Sequence, residues 1–297
     1  MEQDYLWRVA VVMASLELLP AQPSDLTGIL RDSDQFHALI DSNTGSYGSD
    51  LVEYLRGNLE RARVEHWHKQ IDRLIAAEIA IPILAADIPD APTYPKRLAR
   101  CWDAPPVLFS TAQIQDAARA VAIIGSRAGG DEVLADAHTL AADLAARGIT
   151  IVSGLAMGVD GAAHKGALAA DGYTIAVLGT GITRVFPEEH TDLAHQISQT
   201  GVLLSQFAPY APRTRTSFLR RNHVIAGLSE ISIIMAGQSR SGSRHEIEQA
   251  IGYGRPVLMW EPALANQKWA CRLADDGKAS FIKDAEDVRH ALDGIEH

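Results

Sequence analysis

The sequence predicts an α/β fold in which a mainly parallel sheet carries helices on both faces and is preceded by a block of helices. Short β-branched, apolar runs alternate with helical stretches from Ala120 onward, which is the pattern of βαβ units. These runs hold almost no polar residues, as expected of strands buried on both faces. With 297 residues, 47% of them hydrophobic, the chain is long enough for two domains with a sizeable core.

Residues 1–80 predict a small helical domain. Tyr5–Leu19 is an apolar run that ends before Pro20, and Leu51–Ile79 is rich in helix formers with apolar residues near helical spacing. Asp41–Gly48 is polar and contains glycine, so it predicts a loop. The helices therefore form a unit of their own ahead of the sheet.

Residues 81–116 contain six prolines, a density that helices do not tolerate. This segment predicts a connector that runs into the second domain. The second domain, residues 117–297, holds the predicted sheet.

Six short runs predict the strands of the second domain, and helical stretches such as Glu132–Arg147 and Gly161–Ala170 separate them. The six runs are Val121–Ile124, Ile149–Val152, Thr174–Leu178, Val202–Leu204, Ile231–Met235 and Pro256–Trp260.

Most of the predicted strands end on a small residue, for example Gly125, Gly154, Gly179, Ser205 and Gly237. In an open α/β sheet, ligands bind in the crevice beyond the carboxyl ends of the strands. Glycine there lets backbone N–H groups approach a ligand closely, and helix N-termini add partial positive charge. The pattern predicts an anion-binding edge.

Composition and charge exclude several classes of protein. The net charge of −10 argues against a general polyanion binder, and the two cysteines form neither a disulfide framework nor a zinc ribbon. No apolar stretch is long enough to span a membrane, and the acidic N-terminus does not resemble a secretory signal, so we expect a cytoplasmic protein. Residues 193–229 nevertheless contain no Asp or Glu, and they include four arginines.

The first motif, Gly125-Ser126-Arg127-Ala128-Gly129-Gly130, follows a strand and precedes a helix. It does not match the dinucleotide pattern G-x-G-x-x-G. It predicts a phosphate cradle with an added arginine, whose planar fork matches phosphate oxygens. The alternative is a glycine turn with a surface arginine.

The second motif runs from Ser153 to Lys165 and contains Gly154. We expect Asp160 to cap the following helix and His164 to pack beside it, because a metal site would need a third ligand that is not nearby. Lys165 is the functional candidate, as a cation near a glycine-lined helix start.

Two further motifs carry aromatic and basic residues. Phe186, in the segment before Pro187, either stacks on a nucleobase or packs internally. Arg220, Arg221 and Asn222 are predicted in the first turns of a helix with Ser217 as its N-cap. Cations at a helix start oppose the helix dipole, and a bound anion would relieve this.

The fifth motif contains Ser241, Gly242 and Ser243, whose N–H and O–H groups are potential phosphate donors at a helix start. Glu246 is either a catalytic carboxylate or an ordinary acid in the first turns of that helix. The sequence shows no catalytic triad, zinc-protease motif or Walker A motif, which favours binding over catalysis. We expect neither a cofactor nor a metal.

Taken in order, these motifs resemble the DprA (Smf) family of bacterial DNA-processing proteins from about Tyr94 to the C-terminus. The segments that carry the resemblance are Tyr94-Pro95, Pro105–Phe109, Gly125-Ser126-Arg127, Ser153–Asp160 with Ala163-His164, Phe186-Pro187, Arg221-Asn222, Ile225–Ser229, Ser241-Gly242-Ser243 and Ala285–Val288.

The resemblance implies an extended Rossmann-like, doubly wound domain behind a helical SAM-like domain. It implies binding of single-stranded DNA without hydrolysis, assistance in loading the RecA recombinase during recombination or natural transformation, and a homodimer. By motif position, Arg127, Lys165, Arg220 and Arg221 are the implied phosphate contacts, and Phe186 or Phe218 adds base stacking.

The chain also departs from the family pattern. His223 stands where an arginine is usual, Arg244-His245-Glu246 replaces the usual Leu and Thr, and Met259–Pro262 replaces Val-Pro-Gly. We expect no C-terminal winged helix. These departures leave open transformation, general recombination or phage defence as the role. They also leave open a LOG-like enzyme or sensor that binds or hydrolyses nucleotides, and a module that recognises a partner protein.

Overall fold

The computed structural model describes residues 2–19, 23–41, 48–115, 119–126, 130–238 and 242–295. Pro20 and most of the predicted loop Asp41–Gly48 lie outside these ranges. Within them, no helix has the length and apolar character needed to cross a bilayer.

The described residues form a nine-stranded sheet, which confirms the predicted α/β fold class. The strands are β1 Ile81–Leu84, β2 Val107–Ser110, β3 Ala120–Ile124, β4 Thr150–Ser153, β5 Thr174–Val177, β6 Val202–Ser205, β7 Ile231–Ile234, β8 Val257–Trp260 and β9 Ser280–Ile282.

The strand order is β1-β2-β6-β5-β4-β3-β7-β8-β9. The seven strands from β3 to β9 run parallel, whereas β2 is antiparallel to both β1 and β6. The chain proceeds outward from β3 to β6 and then returns to place β7 on the other side of β3. The strand order therefore reverses between β3 and β7, which is where open α/β sheets bind ligands.

The helices lie before the sheet and on both of its faces. They are α1 Glu2–Leu18, α2 Pro23–Arg31, α3 Ser33–Ile40, α4 Asp50–Asn58, α5 Arg61–Ala76, α6 Lys96–Ala99, α7 Asp131–Ala145, α8 Val159–Ala169, α9 Thr191–Thr200, α10 Arg215–Leu228, α11 Gly242–Gly252, α12 Glu261–Leu264, α13 Lys268–Asp275 and α14 Ala285–Asp293.

Alternating side chains of the strands build two cores, one on each face of the sheet. Along β3, Ala122 and Ile124 belong to the core that contains α10 and α11. Val121 and Ile123 belong to the core that contains α7, α8 and α14. This division follows from the two-residue period of a strand, and it places α8 and α10 on opposite faces.

The N-terminal helices share a core with the first edge of the sheet. Leu26 and Leu55 of the helical block belong to the same cluster as Phe109 of β2. The hydroxyl groups of Tyr5 and Thr27 donate hydrogen bonds to the carbonyl oxygens of Pro82 (2.9 Å) and Ala104 (2.6 Å). The domain bounds 1–80, 81–116 and 117–297 stay predictions.

The structure adds two features to the predicted secondary structure. The proline-rich segment 81–116 contains β1 and β2, which the sequence analysis did not predict. Pro82 is accommodated because β1 is the edge strand, where a missing N–H costs no ladder hydrogen bond. The helix-forming stretch Leu51–Ile79 contains two helices, because α4 ends at Asn58 and α5 begins at Arg61.

Helices α7 and α8 approach each other closely at Gly166. A Cβ atom at this position would lie 2.1 Å from the carbonyl oxygen of His138, a backbone atom of α7. Only a hydrogen in place of a side chain allows this contact, so the packing of α8 on α7 depends on the glycine.

We expect Gly166→Ala to lower the free energy of unfolding by roughly 1–3 kcal/mol, because the methyl group forces the two helices apart. Gly28→Ala is the control. Gly28 lies in α2 with open space around it, and alanine there raises helix propensity by about 1 kcal/mol. Urea unfolding of both variants measures the difference, and equal effects would contradict the role of Gly166.

Candidate functional site

The loops that follow β3 and β7 are joined at the point where the strand order reverses. The backbone N–H of Ser126 donates to the carbonyl oxygen of Ala236 (3.0 Å), and that of Met235 donates to the carbonyl oxygen of Ile124 (2.9 Å). Ser126 and Gly125 are half-buried. Arg127 lies outside the described residues.

Arg221 of α10 is buried, with 5% of its surface exposed. Its Nη1 donates to the carbonyl oxygens of Gly154 (2.5 Å) and Val177 (2.7 Å), at the ends of β4 and β5. Its Nε donates to Oδ1 of Asn222 (3.2 Å), which is also buried. The sequence analysis expected Arg221 to face a ligand, whereas these donors face the backbone inside the protein.

Gly154 makes room for this guanidinium. A Cβ atom at position 154 would lie 1.8 Å from Nη1 of Arg221. The glycine in the second motif is thus required by a side chain 67 residues further along the chain.

Asp160 is buried beside Arg221, with 5% of its surface exposed. Its carboxylate accepts a hydrogen bond from the N–H of Ala156 (3.3 Å). Burial raises the pKa of Asp160, while Arg221 and the N–H groups of Ala156, Gly154 and Gly125 oppose this rise. The prediction that Asp160 caps α8 was wrong: Gly158 is the N-cap, and Asp160 lies in the first turn facing the loops. The glycine loops of β3 and β4 therefore surround a carboxyl group of the chain itself.

Glu246 of α11 is the second buried acid of the cluster, with no exposed surface. Neither of its oxygens has a hydrogen-bond partner in the described part of the chain. Burial raises the pKa of Glu246 well above its usual value, Arg221 lowers it, and Asp160 raises it further. We refer to Arg221, Asp160 and Glu246 as the buried charge cluster.

His164 lies on the buried side of α8, as the sequence analysis expected. Its Nδ1 lies 2.8 Å from the hydroxyl of Thr174, which itself donates to the carbonyl oxygen of Ile151. Burial lowers the pKa of His164 to about 3, with His190 and Arg221 contributing. Among the described residues, no group of three or more His, Cys, Asp or Glu side chains is arranged to hold a metal ion.

The start of α10 differs from the prediction. Thr214, not Ser217, is the N-cap, and the two residues form a capping box. Arg220 therefore lies in the second turn. Ser217 bonds instead to the carbonyl oxygen of Gly179 (2.6 Å), which fixes this end of α10 at the carboxyl end of β5.

Exposed arginines and phenylalanines surround this helix start. The guanidinium carbon of Arg213 lies 4.4 Å from the centre of the Phe186 ring, and that of Arg220 lies 6.0 Å from the Phe207 ring. Phe186 also packs edge-on against Phe218, with ring centres 5.6 Å apart. Arg213 and Arg220 are exposed and the three rings are half-buried. We call these five residues the arginine–phenylalanine surface.

The predicted residue Lys165 is not part of this surface. Lys165 is exposed on α8, which packs on the opposite face of the sheet from α10. Ser241 and the side chain of Ser243 lie outside the described residues, and α11 begins at Gly242. Lys165 and Arg221 therefore lie on helices that pack on opposite faces of the sheet.

The sequence analysis missed three residues near this surface. Phe207 directly follows β6, and Arg184 donates from Nε to the carbonyl oxygen of Tyr210 (3.1 Å), whose side chain is exposed. The available signal was that Phe207 and Tyr210 lie in the acid-free stretch 193–229.

We expect Arg221→Met to lower the free energy of unfolding by about 3 kcal/mol, because two buried carbonyl groups lose their donor and the neighbouring acids lose their counter-charge. Arg220→Met, at the exposed neighbouring position, should change it by less than about 0.5 kcal/mol. Thermal unfolding of the two variants tests this. Similar stabilities would show that the guanidinium of Arg221 does not hold the edge together.

Glu246 should make the folded state less stable as pH rises. An unfolded chain ionises Glu246 above a pH of about 4.3, whereas the raised pKa keeps it protonated in the folded state. The contribution of Glu246 to the free energy of unfolding is therefore fully present below that pH. It is lost progressively as the pH rises towards the pKa of Glu246 in the folded state. Glu246→Gln cannot titrate, so its stability relative to the original protein should rise by up to about 1.4 kcal/mol per pH unit as the pH increases from about 4.3 towards the raised pKa of the folded state. Urea unfolding at several pH values measures this, and exposed Glu248→Gln should show no such trend.

Comparison with known proteins identifies the family. The family model of DNA recombination-mediator protein A matches residues 87–293. The chain is 33% identical over 200 residues to the DNA processing protein DprA of Bacillus subtilis, covering 66% of each chain. It is 36% identical over 179 residues to the protein Smf of Escherichia coli, covering 60% of this chain and 48% of that one.

Solved structures agree in fold. DNA processing protein A of Streptococcus pneumoniae matches with a TM-score of 0.64 and 26% identity, over 93% of this chain and 96% of that one. The protein from Helicobacter pylori, whose structure is described for its mode of binding single-stranded DNA, matches with a TM-score of 0.61 and 28% identity, over 69% of this chain and 95% of that one.

The chain spans about half the length of the first curated relatives that it matches. The family model nevertheless covers most of the chain, including β2 to β9 and the buried charge cluster. The chain therefore belongs to the family of DNA recombination-mediator protein A, the DprA (Smf) proteins.

Proposed function

We propose that this protein binds single-stranded DNA along the arginine–phenylalanine surface. The observation that carries the proposal is the pairing of exposed arginines with half-buried phenylalanine rings at the carboxyl edge of the sheet. Arginine binds phosphate oxygens, and aromatic faces stack with bases of any sequence. Membership of a family of recombination mediators supports the same function.

The predicted phosphate contacts take different parts in this proposal. Arg220 and Arg213 contact the strand directly, with Arg127 and the donors Ser126, Ser241, Gly242 and Ser243 extending the path across the β3 and β7 loops. Arg221, Asn222 and Gly154 act indirectly, because they hold α10 against the sheet. Lys165 lies on the other face of the sheet and contributes only if the DNA strand wraps around the carboxyl edge.

The proposal extends to assisting RecA loading and to action as a homodimer, both supported by family membership alone. We infer that the protein acts by binding rather than by catalysis. Within the described ranges, the hydroxyl hydrogen-bonded to the buried His164 is that of Thr174, and it already donates to the carbonyl oxygen of Ile151. The arginine–phenylalanine surface offers cations and rings, which bind a nucleic acid but do not hydrolyse it.

We expect oligo-dT binding to weaken with salt, with each phosphate contact contributing about 0.7 to the slope of log affinity against log salt concentration. Arg220→Met should reduce that slope by about 0.7, and Arg213→Met with Arg220→Met by about 1.4. Fluorescence anisotropy at several salt concentrations measures both.

Arg147→Met is the matched control. Arg147 is exposed in the turn before β4, at the opposite edge of the sheet. The Arg147→Met variant should leave both the affinity for oligo-dT and the salt slope unchanged. If replacing Arg213 and Arg220 changes neither the affinity for oligo-dT nor its salt slope, the DNA strand does not bind at the arginine–phenylalanine surface.

A further inference from the structure

A cavity of about 850 Å³ lies where the N-terminal helices meet the start of α10. One wall comes from α1 and α5 and includes Leu16 and Trp67. Another wall is one face of α10, formed by residues at helical spacing, namely Thr216, Leu219, Arg220 and His223. The volume is in the range of pockets that enclose a small organic molecule.

Three aromatic side chains line this cavity, those of Trp67, Trp102 and Phe207. Trp102 is 72% exposed, whereas Trp67 and Phe207 are half-buried. Tryptophan buries a large apolar area when it is covered, and it is among the residue types that most often anchor a bound partner. Because Trp102 both lines the cavity and is exposed, it lies at the mouth with most of its ring surface open to a ligand.

The backbone that carries Trp102 is held in place through its neighbour Asp103. The hydroxyl of Tyr253 donates to Oδ1 of Asp103 (2.5 Å). The other carboxylate oxygen, Oδ2, lies 3.2 Å from Nδ1 of His223 on α10. The position of Trp102 at the mouth is therefore fixed relative to α10 and to the helix that precedes Tyr253.

Phe207 is held in the same way through its neighbour Gln206. Nε2 of His223 lies 2.9 Å from Oε1 of Gln206. Nε2 of Gln206 donates to the carbonyl oxygen of Arg220 (2.9 Å). His223 thus connects the segments that carry Trp102 and Phe207, so the two rings are positioned before any ligand arrives.

The acids of the described lining are already paired. Glu17 forms an ion pair with Arg63 and accepts a hydrogen bond from Nε1 of Trp67 (3.1 Å). Asp103 has its partners in Tyr253 and in a histidine of α10. Since these carboxylates have partners within the protein, the cavity suits an uncharged aromatic group better than a cation.

The cavity is continuous with the arginine–phenylalanine surface, because Arg220 and Phe207 belong to both. A phosphate that is bound by Arg220 therefore places the base of a neighbouring nucleotide at the mouth of the cavity. A nucleobase is planar and uncharged, and it stacks on aromatic side chains whatever its sequence. A cationic rim beside an aromatic interior thus matches a nucleotide whose phosphate stays outside.

We propose that this cavity receives an unstacked base of the bound single strand, and that the base stacks on Trp102. The inference rests on the DNA binding proposed above. It extends the binding site from the carboxyl edge of the sheet to the N-terminal helices and to the segment 102–106.

The test compares the affinities of the full chain for oligo-dT and for an abasic strand of the same length, which keeps the phosphates and lacks the bases. Trp102→Ala should weaken oligo-dT binding roughly tenfold, as expected for the loss of one stacked base. It should leave both the affinity for the abasic strand and the salt slope unchanged, because the phosphate contacts remain. Trp102→Phe, which keeps an aromatic ring, should retain most of the affinity for oligo-dT.

Tyr54→Ala is the matched control. Tyr54 is an exposed aromatic residue of the N-terminal helices (49% exposed), and it lies in α4, which supplies no described residue to the lining of the cavity. This variant should bind both strands like the original protein. An equal loss of oligo-dT affinity in Tyr54→Ala would overturn the assignment of the base to Trp102.

Photocrosslinking locates the base directly. An oligo-dT that carries one 5-iodouracil is irradiated on the original protein, and we expect mass spectrometry to identify a crosslink at Trp102 or Trp67. If oligo-dT binds but the crosslinks form only elsewhere, or Trp102→Ala weakens both strands equally or neither, this inference is overturned and the DNA-binding proposal stands. If oligo-dT does not bind to the original protein, the DNA-binding proposal fails as well.

Discussion

The buried guanidinium of Arg221 is the contact on which the carboxyl edge of the sheet depends. It supplies hydrogen bonds to two strand ends that lie next to each other, at Gly154 and Val177. It also supplies the positive charge that faces the two buried acids, Asp160 and Glu246. Inside a protein, an unpaired charge is far more costly than at the surface, so the acids, the glycine and the arginine form one unit. Replacing one member changes the environment of all the others.

Neighbouring arginines of α10 have different roles because consecutive helix residues point about 100° apart, as follows from 3.6 residues per turn. Arg221 points into the protein, and Arg220 points outward over Phe207. The stretch 193–229, which contains these arginines, holds no Asp or Glu. This local field, not the net charge of −10, governs how an anion meets this edge.

The strands of the parallel sheet could be predicted from the sequence because each is a continuous apolar run, the signature of burial on both faces. Strand β1 could not, because its Pro82 is tolerated only at a sheet edge, and edge position is a property of the whole fold. Strand β2 directly follows Pro105 and Pro106, and this proline-rich context hid it as well. The side-chain direction of Arg221 could not be predicted from the sequence either. It depends on a glycine 67 residues away that leaves room for the guanidinium. For Asp160, the helix start was placed two residues late, which turned an inward-facing acid into a cap.

The outer and inner parts of the carboxyl edge carry different charged groups. The outer part presents Arg213 and Arg220 beside aromatic rings, which suits a phosphate backbone with unstacked bases. The inner part holds Arg221, Asp160 and Glu246, and all three side chains are buried. Because burial keeps these three groups away from solvent, the exposed arginines of the outer part supply the charge that an anion meets at this edge.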